Sequence, residues 1–347
     1  MLTRYTEKFY NMSKSILIAT GIYPPKIGGP AQYAKNLKEE FEKMGHKVTV
    51  KTYGTEDYLP TGIRHLFFFL KVFLSVVKAD HIVILDTFSV GLPTVIVGKI
   101  LGKETLIRTG GDFLWEGYVE RTGKKVLLSN FYNTEIPFFS KKEKLIFNLT
   151  KWTLRNVTHT VFSTSWQRDI FVEPYKMDKN RTYIIENYYG PKEGDKDPVS
   201  KEFIGSTRKL VWKNLDMLER VFESVKKQNP EAKLFLNNLP FSELMERMSS
   251  AYVVILVSVG DISPNMILDA IRHNRPFICT RECGIYDRVK DAGIFVDPKN
   301  PVEIEDAICE LLTKEGYTRA KEKVRNFNFV HTWDDIAREF LNTFEKI

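Results

Sequence analysis

A fully apolar strand that leads into a helix start is the feature that most constrains this chain. The strand is Tyr252–Val257, and the segment Asp261-Ile262-Ser263-Pro264-Asn265 follows it. A run that is apolar at every position is typical of a parallel strand buried on both faces. Ser263 is a favoured N-cap, and Pro264 fits the first helical position, where a missing N–H costs nothing. The segment therefore predicts a helix N-terminus at the carboxyl end of a parallel strand.

This helix start is a candidate anion site. Its free N–H groups and partial positive charge suit a phosphate. Asp261 lies just before the helix and Asp269 lies on its second turn. Because carboxylates can accept hydrogen bonds from sugar hydroxyls, their position beside phosphate donors predicts a nucleotide-sugar pocket.

Strands and helices alternate along the whole chain, which predicts an α/β fold with mainly parallel, doubly wound sheets. The first half is predicted to hold strands over 15–20, 47–53, 82–85, 105–108, 160–163 and 182–186, with helices over 31–44, 64–78, 89–101 and 142–156 and near Trp166. The second half is predicted to hold strands over 233–236, 252–257, 276–280 and 294–296, with helices over 214–227, 241–249, 301–313 and 333–344. The Pro-, Gly- and charge-rich stretch 190–198 reads as an interdomain linker. We therefore expect two Rossmann-like domains, 1–190 and 191–330, that face a central cleft.

Composition favours a protein of the reducing cytoplasm. The 347 residues include three cysteines, too few for a disulfide framework. Cys279 and Cys283 lack the CxxC spacing of a zinc site and read as ordinary thiols. The first 13 residues lack the apolar core of a signal peptide.

Two segments raise the question of a membrane surface. The stretch Leu66–Val77 is too short to span a bilayer and predicts a buried helix, with an interfacial helix as the alternative. The segment Glu120–Arg155 carries eight Lys or Arg against three Glu, as well as several aromatic residues. This composition suits an anionic membrane or a lipid-phosphate substrate, or else a solvated helix face whose aromatic residues point inward. No nucleic-acid motif accompanies the charge, so we expect no nucleic-acid partner.

The first loop, Tyr23–Pro30, contains Gly28 and Gly29, which allow a ligand to approach the backbone closely. It is neither GxGxxG nor a Walker A loop, which argues against a dinucleotide or a P-loop NTPase. A plain tight turn is the alternative interpretation.

Four segments together resemble glycosyltransferase family 4, the retaining GT-B enzymes also described as glycosyl transferases group 1. They are the first loop, the segment Arg208–Asp216, the Asp261-x7-Asp269 pair in place of the family's Glu-x7-Glu, and the closing helix 331–347. The resemblance covers nearly the whole chain and implies that this closing helix packs back on the first domain.

The resemblance also implies roles for particular residues. Arg208 and Lys213 would neutralise the donor diphosphate, Asp261 would contact the transferred sugar, and Asp269 would contact the ribose. The remaining donor-side positions are Gly28, Gly29, Pro264, Asn265 and Met266, which would surround the distal phosphate. Asp112 is a catalytic candidate that would meet the sugar or the acceptor hydroxyl, and Glu116 is a second acceptor-side candidate. The alternatives are an Asx cap for Asp112, a solvated pair for Arg208 and Lys213, and an exposed helix carboxylate for Asp269.

The sequence thus predicts a retaining, hexosyl-type glycosyltransferase of polysaccharide biosynthesis that needs no metal or other cofactor. Its partners would be a nucleotide-sugar donor and a saccharide or lipid-linked acceptor, reached as a peripheral protein on the inner face of the membrane. Two departures from the family pattern leave other readings open: both signature acids are aspartates, and the second domain is short after Leu236. These readings are a nucleotide-sugar epimerase or hydrolase, and a degenerate nucleotide-binding or scaffold homologue.

Overall fold

The computed structural model describes residues 13–345 except Ile27, Asp195 and Thr207. The expectation for the start of the chain falls on Met1–Met12, outside the described residues apart from Ser13. The described part forms two parallel sheets, one on each side of the segment 185–201.

The first sheet has the strand order β2-β1-β3-β4-β5-β6. Its strands are β1 (Ser15–Thr20), β2 (Lys47–Thr52), β3 (His81–Ile84), β4 (Leu106–Thr109), β5 (His159–Phe162) and β6 (Thr182–Ile184). Its helices are α1 (Gly29–Lys43), α2 (Thr61–Lys78), α3 (Gly91–Ile100), α4 (Phe113–Thr122), α5 (Phe131–Thr134), α6 (Lys141–Asn156) and α7 (Ser165–Tyr175). The register of β1 on β2 runs from Ser15 opposite Lys47 to Thr20 opposite Thr52. All pairings are parallel, so the loops after the strands collect at one edge.

The second sheet has the order β11-β10-β9-β7-β8. Its strands are β7 (Glu202–Ile204), β8 (Lys233–Phe235), β9 (Val253–Leu256), β10 (Phe277–Thr280) and β11 (Ile294–Val296). The later helices are α8 (Leu215–Gln228), α9 (Phe241–Ser249), α10 (Asn265–Arg272), α11 (Tyr286–Val289), α12 (Pro301–Leu312), α13 (Lys314–Asn326) and α14 (Trp333–Glu345). Three-residue 3₁₀ turns at Leu128–Asn130 and Val211–Lys213 border the cleft.

Helices cover both faces of the first sheet. One face packs on α2, α3 and α6 through buried residues such as Phe68 and Phe147. The other face packs on α1 and α14, where Phe41 and Phe340 are fully buried. The last helix, α14, therefore completes the core of the first domain, and the ring of its Trp333 lies 5.0 Å from that of Tyr33.

Five elements escaped the sequence-based prediction: the strand β7, the four-residue helices α5 and α11, and the helices α4 and α13. The strand β7 has only three residues. The helix α13 is mostly polar, and its buried residues are Gly316, Ala320 and Val324. The helix α4 lies in a stretch that the sequence presents as irregular, although Asp112 caps its start and Gly123 ends it in a left-handed conformation.

The aromatic-basic segment 120–155 mostly turns inward. Phe131, Tyr132, Phe139 and Phe147 are buried in the core, which confirms the inward-facing interpretation for these four. Within α2, in contrast, only three side chains are fully buried. The prediction of a buried helix is therefore wrong for its outer face. Among the described residues, no helix is long and apolar enough to cross a bilayer.

We expect Phe340→Ala to destabilise the protein by about 3–4 kcal/mol, because the substitution leaves a cavity between α14 and the first sheet. The matched control is Phe241→Ala on α9, where the ring is 69% exposed. Urea unfolding of both variants tests the expectation. Equal losses in the two variants would contradict the structural role of α14.

Candidate active site

The first turn of α10 presents unpaired backbone donors just after β9. The helix begins at Asn265 with Pro264 as its N-cap, and no side chain caps it. The prediction of Ser263 as the N-cap is therefore wrong by one position, because Pro264 keeps an extended conformation and takes that place. The N–H groups of Asn265 and Met266 have no hydrogen-bond partner among the described residues. This turn can accept an anion.

Lys213 and Asp261 form a nearly buried ion pair, with 2.7 Å between Nζ and Oδ2. The Lys213 ammonium also lies 4.0 Å from the ring centroid of Trp212. The next residue, Asn214, has a positive φ of 58° and donates from its side chain to the carbonyl of Val257. This turn holds Lys213 against the end of β9. Two residues that are 48 positions apart in sequence are thereby brought together.

Arg208 lies on the surface just before this turn, and its carbonyl accepts the N–H of Leu210. Its guanidinium forms no ion pair with any residue in the described part of the chain. It is nevertheless close enough for its charge to oppose the rise that burial produces in the pKa of Glu116. Arg208 is thus an exposed cation near the cleft, within electrostatic reach of Glu116.

Asp112 is the N-cap of α4, as the capping alternative expected. Its Oδ1 accepts the N–H groups of Leu114 and Trp115, and its Oδ2 accepts the Tyr132 hydroxyl at 2.7 Å. Burial raises the pKa of Asp112 to about 6 in spite of these hydrogen bonds. Both carboxylate oxygens are therefore already engaged, and a catalytic role for Asp112 stays a prediction.

Glu116, one turn further along α4, has no hydrogen-bond partner among the described side chains and lines the cleft. Burial raises its pKa to about 7, and the nearby charges of Asp112 and Asp261 add to the rise. Lys213 and Arg208 act in the opposite direction. At neutral pH this carboxyl group can therefore either accept or donate a proton.

The glycine loop of the first domain faces α10. A side chain added at Gly29 would place its Cβ 3.6 Å from Nδ2 of Asn265. The loop therefore approaches the helix start at Gly29, whereas a side chain at Gly28 would contact Ile22 and Pro30 of its own loop. What the loop and the helix start bind there stays a prediction.

Asp269 lies on α10 and is mostly buried. Its Oδ1 accepts a hydrogen bond of 3.1 Å from Arg272, which also pairs with Glu193 in the interdomain linker. Burial raises the pKa of Asp269, and Arg272 opposes the rise. The exposed-carboxylate alternative is thus wrong for Asp269, while the predicted ribose contact remains untested.

The described conformation is closed. The cavity at the centre of the site has a volume of about 40 Å³, room for only a few water molecules. Its lining residues are Gly110, Gly111, Asp112, Trp115, Glu116, Leu128, Trp212, Gly260, Asp261 and Ile262. Contacts between the domains hold this closure: the Leu128 N–H donates to the carbonyl of Val259 at 3.2 Å, and Lys125 pairs with Asp216 at 2.5 Å.

Sequence reasoning missed several residues of the site. The Trp115 and Trp212 rings meet across the cleft at 5.6 Å, and Gly260 packs against the Trp115 ring. Glu282 bridges the domains by accepting the Ser129 hydroxyl at 3.0 Å. The sequence signal for the contact between Gly260 and Trp115 is a glycine directly before Asp261, at the end of a buried strand.

Residues 234–314 match the family model described as glycosyl transferases group 1. No curated protein matches the chain by sequence. The similarity of whole chains is structural and weak in sequence. Sucrose-phosphate synthase from Thermosynechococcus elongatus superposes with a TM-score of 0.65 and 13% identity, covering 96% of this chain and 98% of that one.

Two further solved structures are similar. HepE of Anabaena in complex with UDP-glucose has a TM-score of 0.63 and 12% identity, covering 96% of this chain and 100% of that chain. An α,α-trehalose-phosphate synthase (UDP-forming) from Burkholderia vietnamiensis has a TM-score of 0.67 and 10% identity, covering 98% and 100%. These structures confirm the predicted GT-B fold. The family model confirms the resemblance to group 1 glycosyltransferases over the residues that it matches.

The pKa of Glu116 leads to a pH-dependent stability. Because the folded state holds the proton up to about pH 7 and the unfolded state releases it near its ordinary value, the folded state binds more protons between these pH values. The free energy of unfolding therefore falls as pH rises through this window. We expect Glu116→Gln to gain about 1–3 kcal/mol over the wild type between pH 5 and pH 8.

Urea unfolding at both pH values measures this gain. The control is Glu223→Gln, which replaces an exposed carboxylate on α8. A gain of the same size in the control would show that Glu116 is not the group responsible.

Proposed function

We propose that this protein is a retaining glycosyltransferase that moves a hexosyl group from a nucleoside-diphosphate sugar to a hydroxyl acceptor. One observation carries the proposal: the unpaired N–H groups of Asn265 and Met266 lie opposite the glycine loop of the other domain. The Lys213–Asp261 pair lies at the end of the same strand. An anion site, a cation and a carboxylate therefore share one cleft.

What the structural relatives bind supports this donor class. HepE was solved with UDP-glucose, and the trehalose-phosphate synthase is described as UDP-forming. We take UDP as the first nucleotide to test, since the base cannot be read from the described contacts. The group 1 family match covers the α10 segment, which supports donor binding by that part of the second domain.

In the proposed reaction, the bond between the anomeric carbon and the diphosphate oxygen breaks while the acceptor oxygen bonds to the same carbon. Negative charge develops on the diphosphate, where Lys213, Arg208 and the α10 N-terminus would stabilise it. These groups would act without a metal ion. The new linkage would keep the anomeric configuration of the donor, which NMR of the product can test.

We assign the acceptor proton to Glu116 in preference to Asp112. The Asp112 oxygens already accept three hydrogen bonds, whereas Glu116 lines the cavity without a described partner. Its pKa of about 7 suits proton transfer near neutral pH. In this proposal Asp112 positions α4 and hence Glu116.

We also propose that the acceptor is a lipid-linked or surface-polysaccharide intermediate, met at the inner face of the membrane. The excess of basic residues in the first domain supports an anionic partner there. The acceptor is thus the partner that this charge would attract.

The test of donor binding is the thermal shift of the purified protein with UDP, GDP, ADP, CMP and dTDP. We expect one nucleotide to raise the unfolding temperature, and Lys213→Ala and Asp269→Ala to abolish that rise. Lys209→Ala, an exposed neighbour, should keep it. A flat response to every nucleotide would contradict the proposal and favour a scaffold role.

We expect Lys213→Ala to lower turnover at saturating donor by ~10²–10³, because one cation at the developing charge is lost. Circular dichroism checks that the variant is folded, since Asp261 loses its partner. Wild-type turnover in a folded Lys213→Ala protein would refute the role of Lys213. Sugar release without an acceptor would indicate a hydrolase, and conversion of the donor sugar would indicate an epimerase.

The two carboxylates can be separated by neutral substitutions. Asp112→Asn keeps an N-cap side chain, so we expect it to lower kcat by less than tenfold. Glu116→Gln removes the proton acceptor, so we expect a loss of roughly 10²–10⁴ in kcat at neutral pH. The reverse order of the two losses would return the catalytic role to Asp112.

A further inference from the structure

The outer face of α2 exposes a continuous row of large apolar side chains. Six of them, between 47% and 68% exposed, are Ile63, Leu66, Phe67, Leu70, Leu74 and Val77. Their spacing of three or four residues places them on one side of the helix. We call these six residues the α2 stripe.

The α2 stripe is not needed for the core of the first domain. The opposite side of α2 already packs inward through Phe68, Val72 and Val76, which are fully buried. A surface helix ordinarily carries polar residues on the side away from the core. A contiguous apolar row that stays in water instead marks a surface that binds something.

The charges carried by α2 and the two helices beside it are almost entirely positive, although Lys71 of α2 is neutralised by Glu56 at 2.7 Å. Helices α2, α3 and α6 lie side by side over one face of the first sheet. Their basic residues are Arg64, Lys71, Lys78, Lys99, Lys141, Lys142, Lys144, Lys151 and Arg155. Their acidic residue is Glu143, which is buried and pairs with Arg121 at 2.8 Å. The outward-facing charge of these three helices is thus positive.

Further exposed apolar side chains extend the same surface on the neighbouring helices. Ile100 of α3 is exposed, as are Leu145 and Trp152 of α6. The ammonium of Lys99 lies 5.9 Å from the Trp152 ring centroid, which joins α3 to α6. Apolar and basic side chains are therefore interleaved over all three helices.

We propose that the α2 stripe docks the protein on an anionic membrane surface, with α2 lying in the plane of the lipid–water interface. Lipid headgroups supply the negative charge, and the acyl region accepts the apolar row, a combination typical of interfacial helices. At 1.5 Å per residue, the 18 residues of α2 would lie over about 27 Å of membrane.

The charge argues against a second copy of this chain as the occupant. A two-fold dimer through α2 would bring the same patch against itself, so cations would face cations. It also argues for lipid over nucleic acid, because phosphate contacts alone would not use six aliphatic and aromatic side chains. The anionic membrane matches both the charge and the apolar row.

This inference rests on the proposed membrane association but not on sugar transfer. Helix α2 follows β2 and a 3₁₀ turn, so its N-terminal end lies at the edge of the sheet where the strands end. The site loops lie at that edge as well. A docked protein would therefore hold the cleft close to a lipid-linked acceptor.

The test is co-sedimentation of the full chain with vesicles in the absence of nucleotide. One set is phosphatidylcholine alone, and the other contains about a third phosphatidylglycerol. We expect binding to the anionic set, and weaker binding as salt is raised. Equal binding to both sets, or to neither, would overturn the proposal.

Two triple variants, in which glutamine replaces either leucines or lysines, separate the apolar contribution to vesicle binding from the charged one. The triple variant Leu66→Gln, Leu70→Gln and Leu74→Gln keeps charge and helix propensity, and we expect it to weaken vesicle binding by roughly tenfold or more. The triple variant Lys141→Gln, Lys142→Gln and Lys144→Gln should weaken binding to anionic vesicles by a similar factor. Unchanged binding in the leucine variant would refute the role of the stripe.

Matched controls lie on the second domain. The apolar control combines Val199→Gln, Phe241→Gln and Val302→Gln, and the charge control combines Lys233→Gln, Lys290→Gln and Lys299→Gln; all six side chains are exposed. Both controls should bind vesicles like the wild type. The unfolding temperature and its shift with nucleotide should match the wild type in every variant, so that loss of docking and loss of donor binding remain distinguishable.

Sedimentation velocity of the wild type and the leucine variant tests whether a second copy of this chain covers the α2 stripe. We expect neither protein to dimerise through the α2 stripe. A wild-type dimer that the leucine variant converts to monomer would show that a second copy covers the stripe, and would overturn the membrane proposal.

Discussion

The close approach of the two domains at Gly260 is the constraint on which the geometry of the site depends. A Cβ at this position would lie 2.6 Å from Cβ of Leu128 and 2.9 Å from the Trp115 ring, both of which belong to the first domain. No side chain fits there without moving the domains apart. Because position 260 directly precedes Asp261, the same absence of a side chain sets how near Asp261 and Lys213 come to Glu116. The arrangement of charges in the cleft thus follows from packing.

In the closed cleft, the charges compensate one another. Lys213 is neutralised by Asp261, a pairing that lowers the cost of holding both groups away from water. A diphosphate would offer Lys213 two further negative groups and would release Asp261 to accept hydrogen bonds from hydroxyl groups. Donor binding and rearrangement of the ion pair would then be one event. Glu116 stands within the field of the same charges, so its protonation would respond to this exchange.

Much of the fold can be predicted from the sequence because its buried strands are fully apolar. β9 and the helix after it were expected within one or two residues, whereas β7 is too short to show any periodicity. The pairing of Lys213 with Asp261 was not predicted, because it depends on the unrecognised strand β7 and on the tight turn at Asn214. The capping role of Asp112 was one of two readings that the sequence left open, since a hydrogen bond to Tyr132 depends on tertiary contacts.

The hydrophobic periodicity of the sequence does not predict which side chains of α2 are exposed. Apolar residues surround that helix almost completely, so periodicity does not separate the side facing Phe68 from the side facing solvent. The same limit applied to the segment 120–155, where four aromatic residues proved to be core. The sequence left an interfacial helix over Leu66–Val77 and an inward-facing segment 120–155 as open alternatives, and tertiary packing decides which side chains of each are buried.

The position of α14 has a consequence for how the chain is made. The backbones of Tyr189 and His331 pair through hydrogen bonds of 2.9 and 3.0 Å, so the second sheet is an insertion whose two ends lie side by side. During synthesis on the ribosome, the first six strands emerge long before α14, which covers Phe41 and the inner residues of β1. Until the whole insertion has been translated, the part of this face that α14 covers therefore stays exposed on the nascent first domain, and such exposed apolar surface is what chaperones bind.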